Sequence, residues 1–231
     1  MPSLNAVTLS DLTFRWPNSP QATLIIEQLN IEPQEHVFIK GPSGCGKSTL
    51  LSILTGIQNP TQGSVRILNT DLASLNARAR DQFRADHIGY IFQQFNLLPY
   101  LNVLDNVLLP LQFSKKRRQA TGRDTKQKAR LLLSQLGLPE NLFSQSVTAL
   151  SIGQQQRVAA ARALIGDPDL IIADEPTSAL DHDNRHTFIE LLLSQANRVG
   201  STVLFVSHDP TLEAQFSTSL DLTQINLAYG A

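Results

Sequence analysis

Residues 37–54 read VFIKGPSGCGKSTLLSIL, and the type of fold is predicted most directly from these residues. Residues 37–39 are β-branched or aromatic, residues 41–49 contain three glycines, and residues 50–54 are almost all aliphatic. The middle part matches G-x-x-x-x-G-K-[ST] between a strand and a helix. Glycines let such a loop turn its backbone N–H groups toward one point, and the next helix directs its positive N-terminal end there. The stretch therefore predicts a cradle for phosphate.

The side chains of this phosphate loop, residues 41–49, are expected to bind a nucleoside triphosphate. Lys47 should reach its β- and γ-phosphates, the Ser48 hydroxyl should ligate Mg²⁺, and Thr49 should contact the α-phosphate region. The remaining nucleotide-binding positions expected in the loop are Gly41, Ser43, Gly44, Cys45 and Gly46. Cys45 is the one cysteine. We expect a small residue tolerated in the loop, with the nearby helix N-terminus making it a candidate for alkylation.

Length and composition limit the domain organisation and the kinds of ligand and partner that the chain can have. A chain of 231 residues allows one large α/β domain, or one domain with a smaller inserted lobe. A net charge of -1 argues against duplex DNA as the main ligand, so no nucleic-acid partner is expected. The apolar runs are shorter than the roughly 20 residues of a membrane-crossing helix, and the N-terminus lacks the features of a secretory signal. Work at a membrane would therefore need a partner.

Two kinds of strand are predicted. Short apolar runs without alternation are typical of parallel strands buried on both faces, and they occur at 37–39, 169–172 and 202–206. Each run ends at polar residues, which predicts that those residues converge on one sheet edge. Residues 6–14 and 65–68 instead contain intervening polar residues, which predicts a smaller antiparallel sheet.

Between about Gln94 and Ser151 the sequence changes to patterns typical of helices, such as the apolar residues at helical spacing in Lys126–Leu136. This change predicts an inserted helical lobe. The one basic cluster of the chain lies there. It comprises residues 114–118 together with Arg123, Lys126, Lys128 and Arg130. We expect a solvated loop and helix face, with contact to anionic lipid headgroups as the alternative.

Residues 170–176, LIIADEP, place two carboxylates at the end of a predicted buried strand. Asp174 is expected to hold Mg²⁺ through its water shell. Glu175 is the candidate general base, because a carboxylate just beyond the metal aspartate can polarise a water in line with the γ-phosphate.

Residues 150–157, LSIGQQQR, are followed by the helical sequence VAAARAL and resemble the LSGGQ signature of ABC ATPases. The order of phosphate loop, signature, Asp-Glu pair and final His208 matches that family along nearly the whole chain. The resemblance implies an α/β P-loop NTPase of ABC type, with a mostly parallel central sheet, a small antiparallel β-subdomain and an inserted α-helical subdomain. It divides a single domain, 1–231, into a nucleotide-binding core of 1–93 and 159–231 and a helical lobe of 94–158 that ends in the signature.

The resemblance also implies a closed dimer in which the signature of one subunit caps the γ-phosphate held by the other. Ser151 and Gly153 match the capping positions, with Gln154 beside them. Ile152 departs from the glycine common in the family, which brings the tightness of closure into question. Asp181 matches the loop that crosses the dimer interface.

Three further positions take roles from the resemblance. Gln93 matches the residue that senses Mg²⁺ and the attacking water, with Gln94 as the neighbouring alternative. His208 matches the switch histidine that contacts the γ-phosphate. Trp16 aligns with the aromatic residue that stacks on adenine, with Phe14 as the competing choice.

The function implied is that of an ATPase subunit that binds ATP and Mg²⁺, closes as a homodimer and drives a separate transmembrane permease. Its expected location is cytoplasmic, peripheral on the inner face of the cell membrane. Residues 93–111 resemble the segment that receives a permease, closest to the lipoprotein-releasing and macrolide-exporting branch. A division- or signalling-type ABC ATPase that transmits force is the alternative. A module that binds nucleotide without hydrolysis is the third hypothesis, motivated by Ile152.

Overall fold

The computed structural model describes residues 5–178, 180 and 182–230. Its regular elements are strands and α-helices, joined by short 3₁₀ turns. In chain order they are β1 (Val7–Phe14), β2 (Leu24–Ile31), β3 (His36–Lys40), α1 (Lys47–Leu54), β4 (Gln62–Ile67), β5 (Thr70–Asp71), α2 (Ala77–His87), β6 (Ile88–Ile91), α3 (Val103–Leu108), α4 (Pro110–Phe113), α5 (Lys115–Ala120), α6 (Thr125–Gln135), α7 (Ile152–Leu164), β7 (Leu170–Asp174), α8 (His182–Val199), β8 (Thr202–Val206), β9 (Thr218–Asp221) and α9 (Leu222–Ile225).

The chain folds into two compact units. Unit one comprises residues 1–84 and 204–231, and unit two comprises residues 85–203. The predicted division into a core and a lobe at 94–158 stays a prediction. Within the described ranges, no helix is both long and apolar enough to cross a bilayer.

An antiparallel sheet of strand order β2-β1-β4-β5 forms in unit one, as its sequence pattern predicts. Val7 pairs with Ile31 and Phe14 pairs with Leu24, so β1 and β2 match along their whole length. The buried side chains of β1 are Val7, Leu9, Leu12 and Phe14. Polar residues between them face outward, and this alternation is what a sheet with one packed face requires.

The predicted strand at 37–39 is β3, and its partner in unit one comes from the end of the chain. β3 pairs in parallel with β9, from Val37↔Thr218 to Lys40↔Asp221. The ring of Phe38 lies 5.3 Å from that of Phe216 and 6.2 Å from that of Phe205, measured between centroids. This aromatic cluster fixes β3, and therefore the point at which the phosphate loop begins.

Unit two packs a parallel strand pair against helices. β6 pairs with β7 from Ile88↔Leu170 to Ile91↔Ala173. Helix α7 contacts β6 as well as α3, α6 and α8. Alanines fill its buried middle at 159, 160, 161 and 163, and their small side chains let the neighbouring elements approach closely. The predicted helix at 126–136 is α6, with Ala129, Leu132 and Leu133 on its buried face.

The basic cluster is only partly the solvated face that its charge predicts. Its lysines and Arg118 are exposed or half-buried, but Arg117 and Ser114 are buried, and for these two the expectation was wrong. Arg117 Nε donates to Ile165 O at 2.8 Å, and its Nη2 donates to Ala163 O at 2.6 Å. These carbonyls end α7, where a helix leaves acceptors unsatisfied and favours positive charge. Burial lowers the pKa of Arg117 to about 10, so it stays charged at neutral pH.

We expect Arg117→Met to destabilise the protein by about 1–3 kcal/mol, because buried carbonyls at the end of α7 would lose their donor. Arg118→Met is the matched control. Its side chain is exposed, and the expected effect is within about 0.5 kcal/mol. Urea unfolding followed by circular dichroism measures both. Equal unfolding midpoints for the two variants would show that Arg117 does not stabilise the end of α7.

Candidate functional site

The phosphate loop lies in unit one between β3 and α1. Gly44 and Gly46 have φ values of 84° and 105°, in the left-handed region that favours glycine. A Cβ on Gly46 would lie 2.7 Å from Leu24 Cδ2, whereas one on Gly44 would meet no atom within 4 Å. The loop is therefore packed on one side and open on the other. Because the first N–H groups of α1 have no acceptor within the helix, this geometry fits an anion such as a phosphate.

The polar side chains of the loop lie near this opening. Lys47 Nζ donates to Gly41 O at 2.7 Å and to Pro42 O at 3.0 Å, so its ammonium group lies over the start of the loop. Ser48 is exposed, which leaves its hydroxyl accessible to a metal ion, whereas Thr49 is buried. The roles of all three toward a nucleotide stay predictions.

Cys45 is buried within the loop. The residue as a whole is 1% exposed. The expectation of a thiol open to alkylation is therefore wrong for this conformation, because reagents have no access to a buried sulfur.

Trp16 and Phe14 differ in what they offer to a base. Phe14 is 3% exposed and Trp16 is 41% exposed. Their ring centroids are 5.0 Å apart at an interplanar angle of 89°, so an edge-to-face contact supports the indole. This exposure favours Trp16 over Phe14 as the stacking residue.

The two rings can be separated by mutation. We expect Trp16→Leu to weaken ADP binding by about 5- to 150-fold, since stacking of a base on an aromatic side chain contributes about 1–3 kcal/mol. Phe14→Leu should leave affinity within a few-fold and lower the urea midpoint, because it opens a core cavity. Isothermal titration calorimetry measures the affinities. The opposite pattern would assign the stacking to Phe14.

His208 follows β8 in the same unit as the phosphate loop. Ser207 N donates to Ile39 O at 3.2 Å, which holds the end of β8 beside the end of β3. Ser207 Oγ accepts from Asp209 N at 3.1 Å and shapes the turn around His208. The imidazole is exposed. Unit one thus brings together the loop and the predicted switch histidine.

The acidic pair lies in unit two at the end of β7. Residues 170–173 are buried, and Asp174 is half-buried. Tyr90 Oη donates to Asp174 Oδ2 at 3.4 Å. Burial and then the Asp174 carboxylate raise the pKa of Tyr90 above its usual value, so the phenol stays protonated and remains a donor. Tyr90 therefore orients the carboxylate predicted to hold the metal.

Glu175 has a left-handed backbone, with φ of 49°. Such a conformation in a residue other than glycine costs about 1–3 kcal/mol and persists only where its surroundings hold it. Gln156 Nε2, buried on α7, donates to Pro176 O at 3.0 Å and fixes the turn that follows. A strained turn therefore begins at Glu175, directly after β7.

The turn that carries Gln93 is also fixed by α7. Gln93 and Gln94 are both exposed, so exposure does not choose between them. Arg162 Nη1 donates to Asn96 O at 2.7 Å, and its Nη2 donates to Phe95 O at 2.5 Å. Burial lowers the pKa of Arg162.

The signature forms the start of α7. Ser151 Oγ accepts from Gln154 N at 3.3 Å, while Ser151 N donates to Gln154 Oε1 at 3.0 Å. This reciprocal capping box fixes the N-terminus of the helix. Gln154 Oε1 therefore caps the N-terminus of α7.

The other signature residues differ in their surroundings. A Cβ on Gly153 would lie 3.5 Å from Leu180 Cδ2, and Ile152 is 51% exposed. Asp181 lies outside the described residues.

Three supporting residues were missed by reasoning from the sequence. Tyr90 orients Asp174, Gln156 holds the turn after Glu175, and Arg162 holds the turn after Gln93. The sequence did offer a sign of the roles of Gln156 and Arg162. Both are polar, Gln156 lies just before a buried apolar run and Arg162 lies within it, and buried polar side chains need hydrogen-bond partners. For Tyr90 it offered no such sign, because its partner is remote in sequence.

Comparison with known proteins gives concordant results. A family model described as "ABC transporter" matches residues 27–178. The ABC transporter ATP-binding protein MJ0796 of Methanocaldococcus jannaschii is 44% identical over 78% of this chain and 77% of its own length. The macrolide export ATP-binding/permease protein MacB of Rhodopseudomonas palustris is 39% identical over 94% of this chain, which spans 33% of that protein. A dimeric MJ0796 structure, described as a post-hydrolysis state bound to ADP and Pi, superposes with a TM-score of 0.81 at 37% identity and covers 93% of both chains.

Proposed function

Because this chain belongs to the ABC transporter family and is one of its ATPases, we propose that it closes as an ATP-sandwich homodimer to drive a separate transmembrane permease. The phosphate loop carries the proposal, with its left-handed glycines, open side and helix N-terminus. The dimeric post-hydrolysis structure of MJ0796 supports closure of two chains.

The proposed reaction divides the work among this chain's own residues. Lys47 and the loop N–H groups bind and orient the phosphates of ATP. Glu175 accepts a hydrogen bond from a water and polarises it for attack on the γ-phosphate. His208 contacts the γ-phosphate, and Trp16 holds the adenine.

The proposed metal ligands all offer oxygen atoms, the ligand type that Mg²⁺ prefers. Ser48, Asp174 and Gln93 would hold Mg²⁺, which neutralises phosphate charge when bound. Tyr90 orients the carboxylate of Asp174 for this role. Gln93 additionally positions the water.

Closure would use the exposed start of α7. Ser151 and Ile152 are exposed there, and Gly153 follows with no side chain of its own. In the proposed dimer Ser151 and Gly153 cap the γ-phosphate bound by the other chain, with Gln154 and Asp181 beside them. The Ile152 side chain would lie in the same interface, where the family commonly has glycine.

Coupling to a permease is proposed through residues 93–111. Tyr100 is exposed in this segment and Phe92 is exposed directly before it, and exposed aromatic side chains are typical of protein interfaces. MacB is named as an export protein, which favours transport over the force-transmitting alternative. The proposed location is accordingly peripheral, on the cytoplasmic face of a membrane.

A variant that cannot hydrolyse ATP tests whether two chains close around the nucleotide. We expect Glu175→Gln to form a dimer in Mg-ATP, seen as a doubling of the 25.4 kDa mass by light scattering, and to stay monomeric in Mg-ADP. Adding Ile152→Gly to that variant should lower the ATP concentration needed, if the isoleucine hinders closure.

Lys47→Ala in the same background is the control, and it should remain monomeric because its loop binds phosphate weakly. A Glu175→Gln chain that binds ATP yet stays monomeric with glycine at 152 would contradict the proposed closure.

A further inference from the structure

Asn226 is a buried polar residue for which the phosphate-loop pattern gives no role. It is 2% exposed and follows α9, near the end of the chain. The family model matches residues 27–178, so Asn226 lies beyond the matched range.

The Asn226 amide links three segments of unit one. Its Nδ2 donates to Cys45 O in the phosphate loop at 3.1 Å and to Thr23 O at 3.0 Å. Its Oδ1 accepts from Ile25 N at 2.9 Å and from Ala228 N at 3.2 Å. A primary amide has two donors and an oxygen with two lone pairs, so these four bonds use its full capacity.

The hydrogen bond from Asn226 to Cys45 O lies at the junction between the phosphate loop and α1. The next residue, Gly46, has the left-handed φ of 105° that starts α1. A Cβ on Gly46 would lie 3.4 Å from Asn226 Nδ2 and 2.7 Å from Leu24 Cδ2. Asn226 thus packs behind the turn that aims the first N–H groups of α1.

The C-terminal segment also holds the other end of the loop. Asp221, in β9, pairs with Lys40, the last residue of β3 before Gly41. Leu227 N donates to Ile25 O at 2.8 Å and joins the segment to β2. The phosphate loop is therefore bracketed at its entrance by β9 and at its exit by Asn226.

We propose that Asn226 is a positioning residue for ATP, which fixes the exit of the phosphate loop through the Cys45 carbonyl. The inference rests on the proposed role of this loop in holding the phosphates of ATP. A carbonyl released from Asn226 would let the Cys45–Gly46 peptide rotate, and the N–H groups after it would no longer converge. Nucleotide affinity would fall although no side chain that touches the nucleotide had changed.

Asn226→Ala tests this with two readouts on the full chain. We expect Mg-ADP affinity, measured by calorimetry, to fall about tenfold or more, and the KM for ATP to rise more than kcat falls. The rate of Cys45 alkylation in the native protein should also rise, because this single cysteine is 1% exposed and its carbonyl would be released. Mg-ADP should slow that alkylation.

Asn106→Ala is the matched control. Asn106 is equally buried in unit two, and its amide bonds only backbone groups of Leu98, Leu101 and Asn102. We expect a similar loss of stability with unchanged ADP affinity and alkylation rate. If Asn226→Ala does not fold, Asn226→Asp keeps the shape and both acceptor bonds while removing the donors.

The outcomes separate the inference from the proposed function. An Asn226 variant with the affinity of the wild type would overturn the positioning role alone, whatever its alkylation rate. Equal losses of affinity in the Asn226 and Asn106 variants would also overturn it, because general destabilisation would then suffice. A wild-type chain that binds no ADP would overturn the proposed function and the inference together.

Discussion

Neutral backbone N–H groups can hold a multiply charged phosphate only when they converge, and this constraint governs the phosphate loop. Gly44 and Gly46 adopt left-handed conformations to meet it, and Leu24 packs where a side chain at 46 would lie. Because such a loop gains little from its own contacts, it depends on neighbours. The aromatic cluster around Phe38 fixes its beginning, and Asn226 fixes its end.

Helix α7 serves a comparable purpose in unit two. Its N-terminus carries the signature on a capping box, Gln156 supports the turn after Glu175, and Arg162 supports the turn that follows Gln93. Arg117 satisfies the carbonyls at its other end. One rigid helix therefore supports the signature and both predicted water-positioning residues. Its alanine-rich middle allows this, because small side chains admit close neighbours.

Local pattern predicted most of the fold and the loop, because the determining interactions lie close in sequence. The strand at 37–39, the antiparallel sheet and the helix at 126–136 are confirmed, as is the fold family. The pattern failed where distant segments meet. Arg117 looked like part of a solvated face because its acceptors, Ala163 and Ile165, are over 40 residues away. Cys45 looked accessible for the same reason, since burial is decided by packing rather than by position in a motif.

In the proposed dimer each nucleotide site is completed by a second chain. Steady-state phosphate release from Mg-ATP distinguishes this arrangement from a site complete in one chain, when it is measured over a range of protein concentrations with Glu175→Gln as the background and light scattering in parallel. We expect activity per chain to rise with concentration as dimers form, if Ser151 and Gly153 of one chain complete the site of the other. A constant rate per chain at concentrations where only monomer is present, or no release above the Glu175→Gln background at any concentration, would contradict it.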